Sequence, residues 1–363
     1  MRDDDAVRLL HSMVQIPSVS FDEANIARFL VGEMSDLGFD AWVDDAGNAI
    51  GMAGEGPRTI ALVGHIDTVA GDLPVRLEEG ILHGRGAVDA KGPMATFVSA
   101  AARCLAQDSP VRLLVVGCVE EEAPTSAGAR NLLANSPLEG PPDFLVIGEP
   151  SGWEGMTLGY KGYMRSKIRL EIEAAHTAHD VKTVAAQACD VWQQVSHACE
   201  RFNEGKARVF DRLLPALIRL ETRGDGVHDH ATLDVSLRLP PDMPIEEAEA
   251  WLVEQTPGCD VTTLGALPAW AGPRTTPLHR SLARAIRAQD GHPIYKLKTG
   301  TADLNILAPA WGCPALAYGP GDASLDHTPN EHIRIDDYLR SVAILTDTLV
   351  ACAELPSSAA RAS

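Results

Sequence analysis

Positive charge and paired cysteine are both scarce in this chain. Its 363 residues hold 31 Lys+Arg against 50 Asp+Glu, a formal net charge of −19. A surface of that sign repels phosphate backbones, which argues against nucleic acid as a partner. The seven cysteines are odd in number, and no two stand as Cys-x-x-Cys. Most lie in apolar runs, as buried thiols do. Neither a disulfide framework nor a thiolate zinc site is expected, and a reducing cytoplasm fits best. No apolar run approaches the roughly 18 residues of a membrane span. The opening Met1-Arg2-Asp3-Asp4-Asp5 is acidic, so no signal peptide is expected. Internal repeats are also lacking.

The length exceeds the roughly 250–300 residues that one core usually supports, so two domains are expected. Residues 4–14 have helical spacing, with Val7, Leu10, Met13 and Val14 on one stripe. Ser20, with Glu23 three residues on, reads as a capping box. The helix it opens carries Ile26, Phe29, Leu30 and Met34 inward and ends near Gly38. A short strand is expected at 48–52.

Four apolar runs of strand length follow. The run Thr59–Val63 ends at Gly64-His65, and Val111–Val116 leads to Glu120-Glu121-Glu122. Phe144–Ile147 ends at Gly148-Glu149, and Pro314–Tyr318 is followed by Asp326-His327. Near-continuous apolar strands separated by helical segments predict an α/β sheet covered on both faces. In such sheets ligands bind beyond the carboxyl ends of the strands. Each run delivers His or Glu there, which points to one shared site.

Between 160 and 271 the texture changes. Residues 163–173 alternate, with Met164, Ile168, Leu170 and Ile172 on one face and charged residues on the other. A helix is expected around 181–202, an alternating strand over 231–239, a helix opening at 244–248 and a strand at 261–264. An inserted α+β domain with antiparallel strands is therefore predicted for 160–271, splitting the other domain into 1–159 and 272–363. The tail from Ser357 to Ser363 is expected to fray.

His, Asp and Glu bind zinc without thiolates, and paired metals need a bridging carboxylate. Asp89, in the glycine-rich turn Gly84–Gly92, is the bridge candidate. Asp67 follows His65 by two residues, so in extended chain both project to the same side. It is placed to accept the second ring N–H of that imidazole. Three glutamates at 120–122 could form a plain acidic loop, but the buried strand before them favours a metal site. There one Glu would bind metal while its neighbour takes a proton from water at the metal.

These motifs together resemble the family of two-zinc exopeptidases and deacylases that includes aminoacylase, carboxypeptidase G and succinyl-diaminopimelate desuccinylase. The resemblance covers nearly all of the chain. Its specific matches are Gly64-His65-Ile66-Asp67-Thr68, Gly84–Gly92, Glu120-Glu121-Glu122, Gly148-Glu149-Pro150 and His327-Thr328-Pro329-Asn330-Glu331. It implies a zinc-exopeptidase-like mixed sheet flanked by helices, an inserted lid that also dimerises, and two zinc ions, with cobalt as an alternative. By position it makes His65 and Glu149 ligands of one ion, Glu122 and His327 ligands of the other, and Asp89 the bridge. Glu121 matches the general base, Asp67 the group steering His65, and the Asp89-Ala90 peptide is expected to be cis. His176 matches a lid histidine that in relatives reaches the partner subunit's site, though relatives usually read His-Ser-Ser-x-Pro and here it is His176-Thr177-Ala178-His179-Asp180; His179 is its rival. Arg238 matches a substrate-side arginine, and Gly300 and Thr301 a loop that receives substrate carboxylate. Outside that context they read as a packing arginine and a polar turn.

The stretches 120–130, 157–162 and 298–305 are most similar to the LysK branch. Its members release lysine or ornithine from the C-terminal glutamate of a small acidic amino-group carrier protein, LysW. A small-molecule deacylase, acting on acetylornithine or succinyl-diaminopimelate, is the alternative. Docking an acidic carrier on an acidic enzyme needs a local basic surface. Lys161, Arg165, Lys167 and Arg169 are the candidates for it.

Overall fold

The computed structural model describes residues 1–176 and 178–355. Thr177 and the tail expected to fray lie outside the described residues. The chain divides into two compact units, one of Met1–Gly159, Gly272–Lys296 and Ala302–Ser363, the other of Tyr160–Ala271 and Leu297–Thr301. The short Leu297–Thr301 stretch thus joins the second unit, although its sequence position assigns it to the first.

In the first unit a mixed sheet runs in the order Asp40–Val43, Ala49–Ala53, Val111–Cys118, Arg58–His65, Phe144–Gly148, Ala315–Ala317, Gly155–Tyr160. Its four middle strands are parallel and its flanks antiparallel. The parallel strands are buried along almost every residue, as a sheet covered on both faces requires. Gly64 and Gly148 lie opposite each other in register. A Cβ on Gly148 would stand 3.1 Å from Gly64 Cα and from the Phe97 ring, so a larger residue there would require its neighbours to shift by a few tenths of an ångström. The Lys91–Leu105 helix is buried nearly all round and packs on Asp3–Gln15 and Ile335–Ala353.

The first two helices depart in detail from their sequence patterns. The first buries Ala6 and Leu9 with Leu10, Met13 and Val14, while Val7 is only half-buried. The second is Ala24–Asp36, where Phe29 is half-buried. Ser20 does not cap it: the helix starts four residues later and the Ser20 hydroxyl donates to Asp67 Oδ2 at 2.7 Å. The site thus claims the serine that the helix was expected to use.

The second unit is a four-stranded antiparallel sheet ordered Leu214–Gly224, His228–Leu239, Gly162–Glu173, Asp260–Leu267. Helices Val184–Phe202 and Ile245–Gln255 share its core, which includes Met164, Ile168, Leu170, Val235 and Leu252. The Leu214–Gly224 strand escaped the sequence pattern because none of its residues is fully buried. Among the described residues no helix is long and apolar enough to cross a membrane.

Candidate metal centre

Each central strand ends at the same place. His65 closes Arg58–His65, Glu121 and Glu122 follow Val111–Cys118, Glu149 follows Phe144–Gly148, and Asp89 precedes the Lys91–Leu105 helix. His327, in the left-handed backbone region at φ 60°, lies beyond Ala315–Ala317. The peptide Asp89-Ala90 is cis.

The Asp89 carboxylate stands between two imidazoles. Its Oδ1 is 3.2 Å from His65 Nε2 and its Oδ2 is 3.0 Å from His327 Nε2. His327 Nε2 is also 2.8 Å from Glu122 Oε1. Ligand-type atoms of His65, Glu121 and Glu149 lie within 4.8 Å of one another, as do those of His65, Asp89 and Glu122.

Buried carboxylates this close repel unless a cation joins them. Burial drives the Glu121 carboxyl well above its ordinary value, and Glu149, Asp303 and Glu122 add like charge. Burial alone would lower His65, but Asp67 and Asp89 more than reverse that and hold it well above an ordinary histidine. Asp89 is opposed by burial, yet His327 and His65 keep it far below the carboxylate range. Asp89 and then Glu122 lift His327 to about 10. Around Asp89, positive charge on the His65 and His327 imidazoles offsets the carboxylate. A divalent ion supplies more of it and binds the imidazoles in their neutral form. The all-nitrogen-and-oxygen donor set fits zinc, cobalt or manganese.

A further ring of hydrogen bonds holds these groups in place. His65 Nδ1 lies 3.1 Å from the Asp67 carbonyl oxygen and 3.4 Å from its Oδ1. Asp67 Oδ1 accepts from the Glu121 backbone N–H, and Oδ2 from the Glu122 N–H and from Ser20. One buried carboxylate therefore aims a histidine and both glutamates. Glu331 Oε1 accepts from the backbone N–H groups of Val88 and Asp89, while its Oε2 pairs with Arg85 at 2.7 Å. Gly86, at φ 81°, allows this turn: a Cβ there would meet Thr68 Cγ2 at 2.8 Å. Glu23 accepts from the N–H groups of Phe21 and Glu120. The positioning roles of Ser20, Glu23, Arg85 and Glu331 escaped the sequence reading. Arg85 and Glu331 lay inside recognised motifs and Ser20 and Glu23 inside an expected capping box, but residue type alone does not reveal an acceptor for loop amides.

A family model described as peptidase family M20/M25/M40 matches residues 61–351. The chain belongs to that family. It is 46% identical over 352 residues to the [LysW]-lysine hydrolase of Deinococcus radiodurans, covering 95% of this chain and 96% of that protein. It is 38% identical over 347 residues to a putative [LysW]-lysine/[LysW]-ornithine hydrolase of Thermococcus kodakarensis, covering 95% and 92%. Among solved structures it resembles the M20 family metallo-carboxypeptidase Sso-CP2 of Sulfolobus solfataricus, with a TM-score of 0.77, 16% identity and coverage of 97% and 100%. A dinuclear metal binding M20 peptidase of Bacillus subtilis gives a TM-score of 0.69 at 12% identity, covering 97% and 98%. Membership makes this M20 chain a hydrolase of C–N amide bonds, and its donor cluster suits the metal dependence of that class.

The second unit of this M20 protein holds the remaining expected residues. Arg238 Nη1 donates to the Thr301 hydroxyl at 3.4 Å, with Gly300 adjacent. Burial lowers the Arg238 pKa. His176 is exposed beyond the end of Gly162–Glu173, its Nδ1 accepting from the Ala178 N–H at 3.1 Å and its ring 6.2 Å from that of His179. Lys161 is not a surface cation. It is fully buried, and its ammonium donates to the carbonyls of Phe210 and Arg212.

Proposed function

We propose that this M20 hydrolase releases lysine, or ornithine, from the C-terminal glutamate of the carrier protein LysW. The observation that carries the reading is the 46% identity, over 95% of the chain, to a hydrolase named for that reaction. We assign His65 and Glu149 to one metal ion, Glu122 and His327 to the other, and Asp89 to both, with zinc as the ion and cobalt as an alternative. When bound, the ions would polarise the scissile carbonyl and bring the pKa of a water molecule to near 7.

Glu121 takes a proton from the attacking water and returns it to the departing amine nitrogen. A carboxyl whose affinity for protons is raised by burial and by Glu149 is suited to holding one between those two steps. Asp67 keeps the His65 tautomer and the Glu121 backbone in place. Arg238, Gly300 and Thr301 receive a carboxylate of the substrate, and His176, or its neighbour His179, steadies the developing oxyanion. The second unit acts as lid and dimerisation module, and the enzyme works in the cytoplasm, where its cysteines stay reduced.

The test is turnover by one purified sample, with its metal content measured, on LysW–lysine, LysW–ornithine, N-acetylornithine and N-succinyl-diaminopimelate. A carrier-linked substrate should be hydrolysed with much the highest kcat/KM. Faster hydrolysis of either free acyl substrate would replace this reading with that of a small-molecule deacylase.

A further inference from the structure

One face of the second unit's sheet packs on helices, while the other bears a cavity of about 440 Å³. Four cations from neighbouring strands line it: Lys167, Arg169, Arg219 and Arg223. Two acids, Glu221 and Asp234, stand among them. In a chain of net charge −19 this concentration of positive charge runs against the background.

Pairing within the face singles out two of the cations. Arg165, beside the cavity, holds Asp234 through two hydrogen bonds of 2.9 and 2.7 Å. Arg169 pairs with Asp260 at 3.3 Å, and Arg219 pairs with Glu221. Among the described residues neither Lys167 nor Arg223 has an ion-pair partner. The structure points to this face as a docking surface for an acidic protein domain, with Lys167 and Arg223 as its main contacts. The inference rests on the function proposed above in taking that domain to be the folded part of the carrier that delivers the substrate.

The layout favours a protein over a smaller anion. The strands lie about 4.8 Å apart, so the cations are spread over a surface and not gathered at a point. The backbone amides beneath are engaged in the sheet ladders and form no anion-binding nest. Glu221 and Asp234 would repel a compact phosphate, whereas a folded acidic surface can set its carboxylates between them. Charges so interleaved fix register and suppress wrong partners. The net charge of the whole enzyme disfavours a nucleic acid.

The test is the double variant Lys167→Glu/Arg223→Glu, with Lys167→Ala/Arg223→Ala as a milder control. Each is assayed on carrier–lysine and on a glutamyl-lysine amide that lacks the carrier's folded part. The charge reversal should raise KM for carrier–lysine by about 10-fold or more, with kcat and the small substrate unaffected. The alanine pair should give a smaller rise and a weaker dependence of KM on salt. Unchanged KM for carrier–lysine, or an equal loss on both substrates, overturns the inference. So does a change of oligomeric state in light scattering, which would make the face a contact between copies. So does competitive inhibition of the wild type by inorganic phosphate at matched ionic strength that the charge reversal abolishes, which would mark a small-anion subsite. Calorimetric titration of unloaded carrier onto wild type and variant reads docking without turnover, so a failure of the proposed reaction stays distinguishable from a failure of docking.

Discussion

In the first unit, the Arg58–His65 and Val111–Cys118 strands are buried along nearly their whole length and, apart from Arg58 and Arg112 at their starts, present their ionisable side chains at or just past their carboxyl ends. In the second, the Gly162–Glu173 strand buries alternate residues and shows charged ones on the opposite face. Charge in the first unit is concentrated, desolvated and held by bonds such as those of Asp67 and Glu331. Charge in the second is spread, solvated and largely neutralised by pairs such as Arg169–Asp260. The first arrangement costs desolvation energy, which bound cations can offset, and therefore suits chemistry. The second costs little and suits recognition of another surface.

The contrast is tested most strongly at Glu121. Glu121→Gln keeps the size of the side chain and the backbone N–H that bonds Asp67, and removes only proton acceptance. We expect kcat to fall about 10²–10⁴-fold, with full metal content by mass spectrometry and an unchanged far-ultraviolet spectrum. Glu121 also stands within ligand distance of His65 and Glu149, so the variant discriminates between two roles. Loss of one ion per chain would make Glu121 a ligand and remove it as the base.

A smaller effect is expected one layer out. Glu331 touches none of the metal-type ligand atoms, yet it accepts from the Asp89 N–H and pairs with Arg85. Glu331→Gln retains one acceptor oxygen and discards the charge. Metal affinity, read by competition with a chromogenic chelator, should weaken about 10–100-fold. A change below about 2-fold would show that the loop keeps its shape without the ion pair.

The same contrast explains what was legible in the sequence. A buried parallel strand followed by His or Glu is a local pattern, so His65, the glutamates at 120–122, Glu149 and His327 stood out as candidates, whereas the choice of Glu122 among the three glutamates came only from the resemblance. The alternation at 163–173 likewise placed the second sheet. Ser20 was misread because a capping box and a hydrogen bond to Asp67, 47 positions on, begin with the same residue type. Lys161 was misread because its acceptors are backbone carbonyls of 210 and 212, which no side-chain pattern announces. Leu214–Gly224 was missed because its partial exposure weakens the period-2 signal. Legibility fails where the deciding partner is distant in sequence or belongs to the backbone.

The smallest expected effect compares one bond from each region. Ser20→Ala removes the hydroxyl that donates to the buried Asp67 at 2.7 Å, leaving that oxygen with the Glu122 N–H as its remaining hydrogen-bond donor. A hydrogen bond to a charged, buried acceptor contributes about 1.5–3 kcal/mol, so a clear drop in Tm is expected. Arg169→Ala removes an exposed pair with Asp260, and such pairs contribute about 0–1 kcal/mol. Raising salt should shrink the Arg169 effect and leave the Ser20 effect in place, because screening acts on solvated charge. Equal losses, or equal salt sensitivity, would mean that the two sheets do not treat charge differently, and the division between a chemical region and a recognition region would fall.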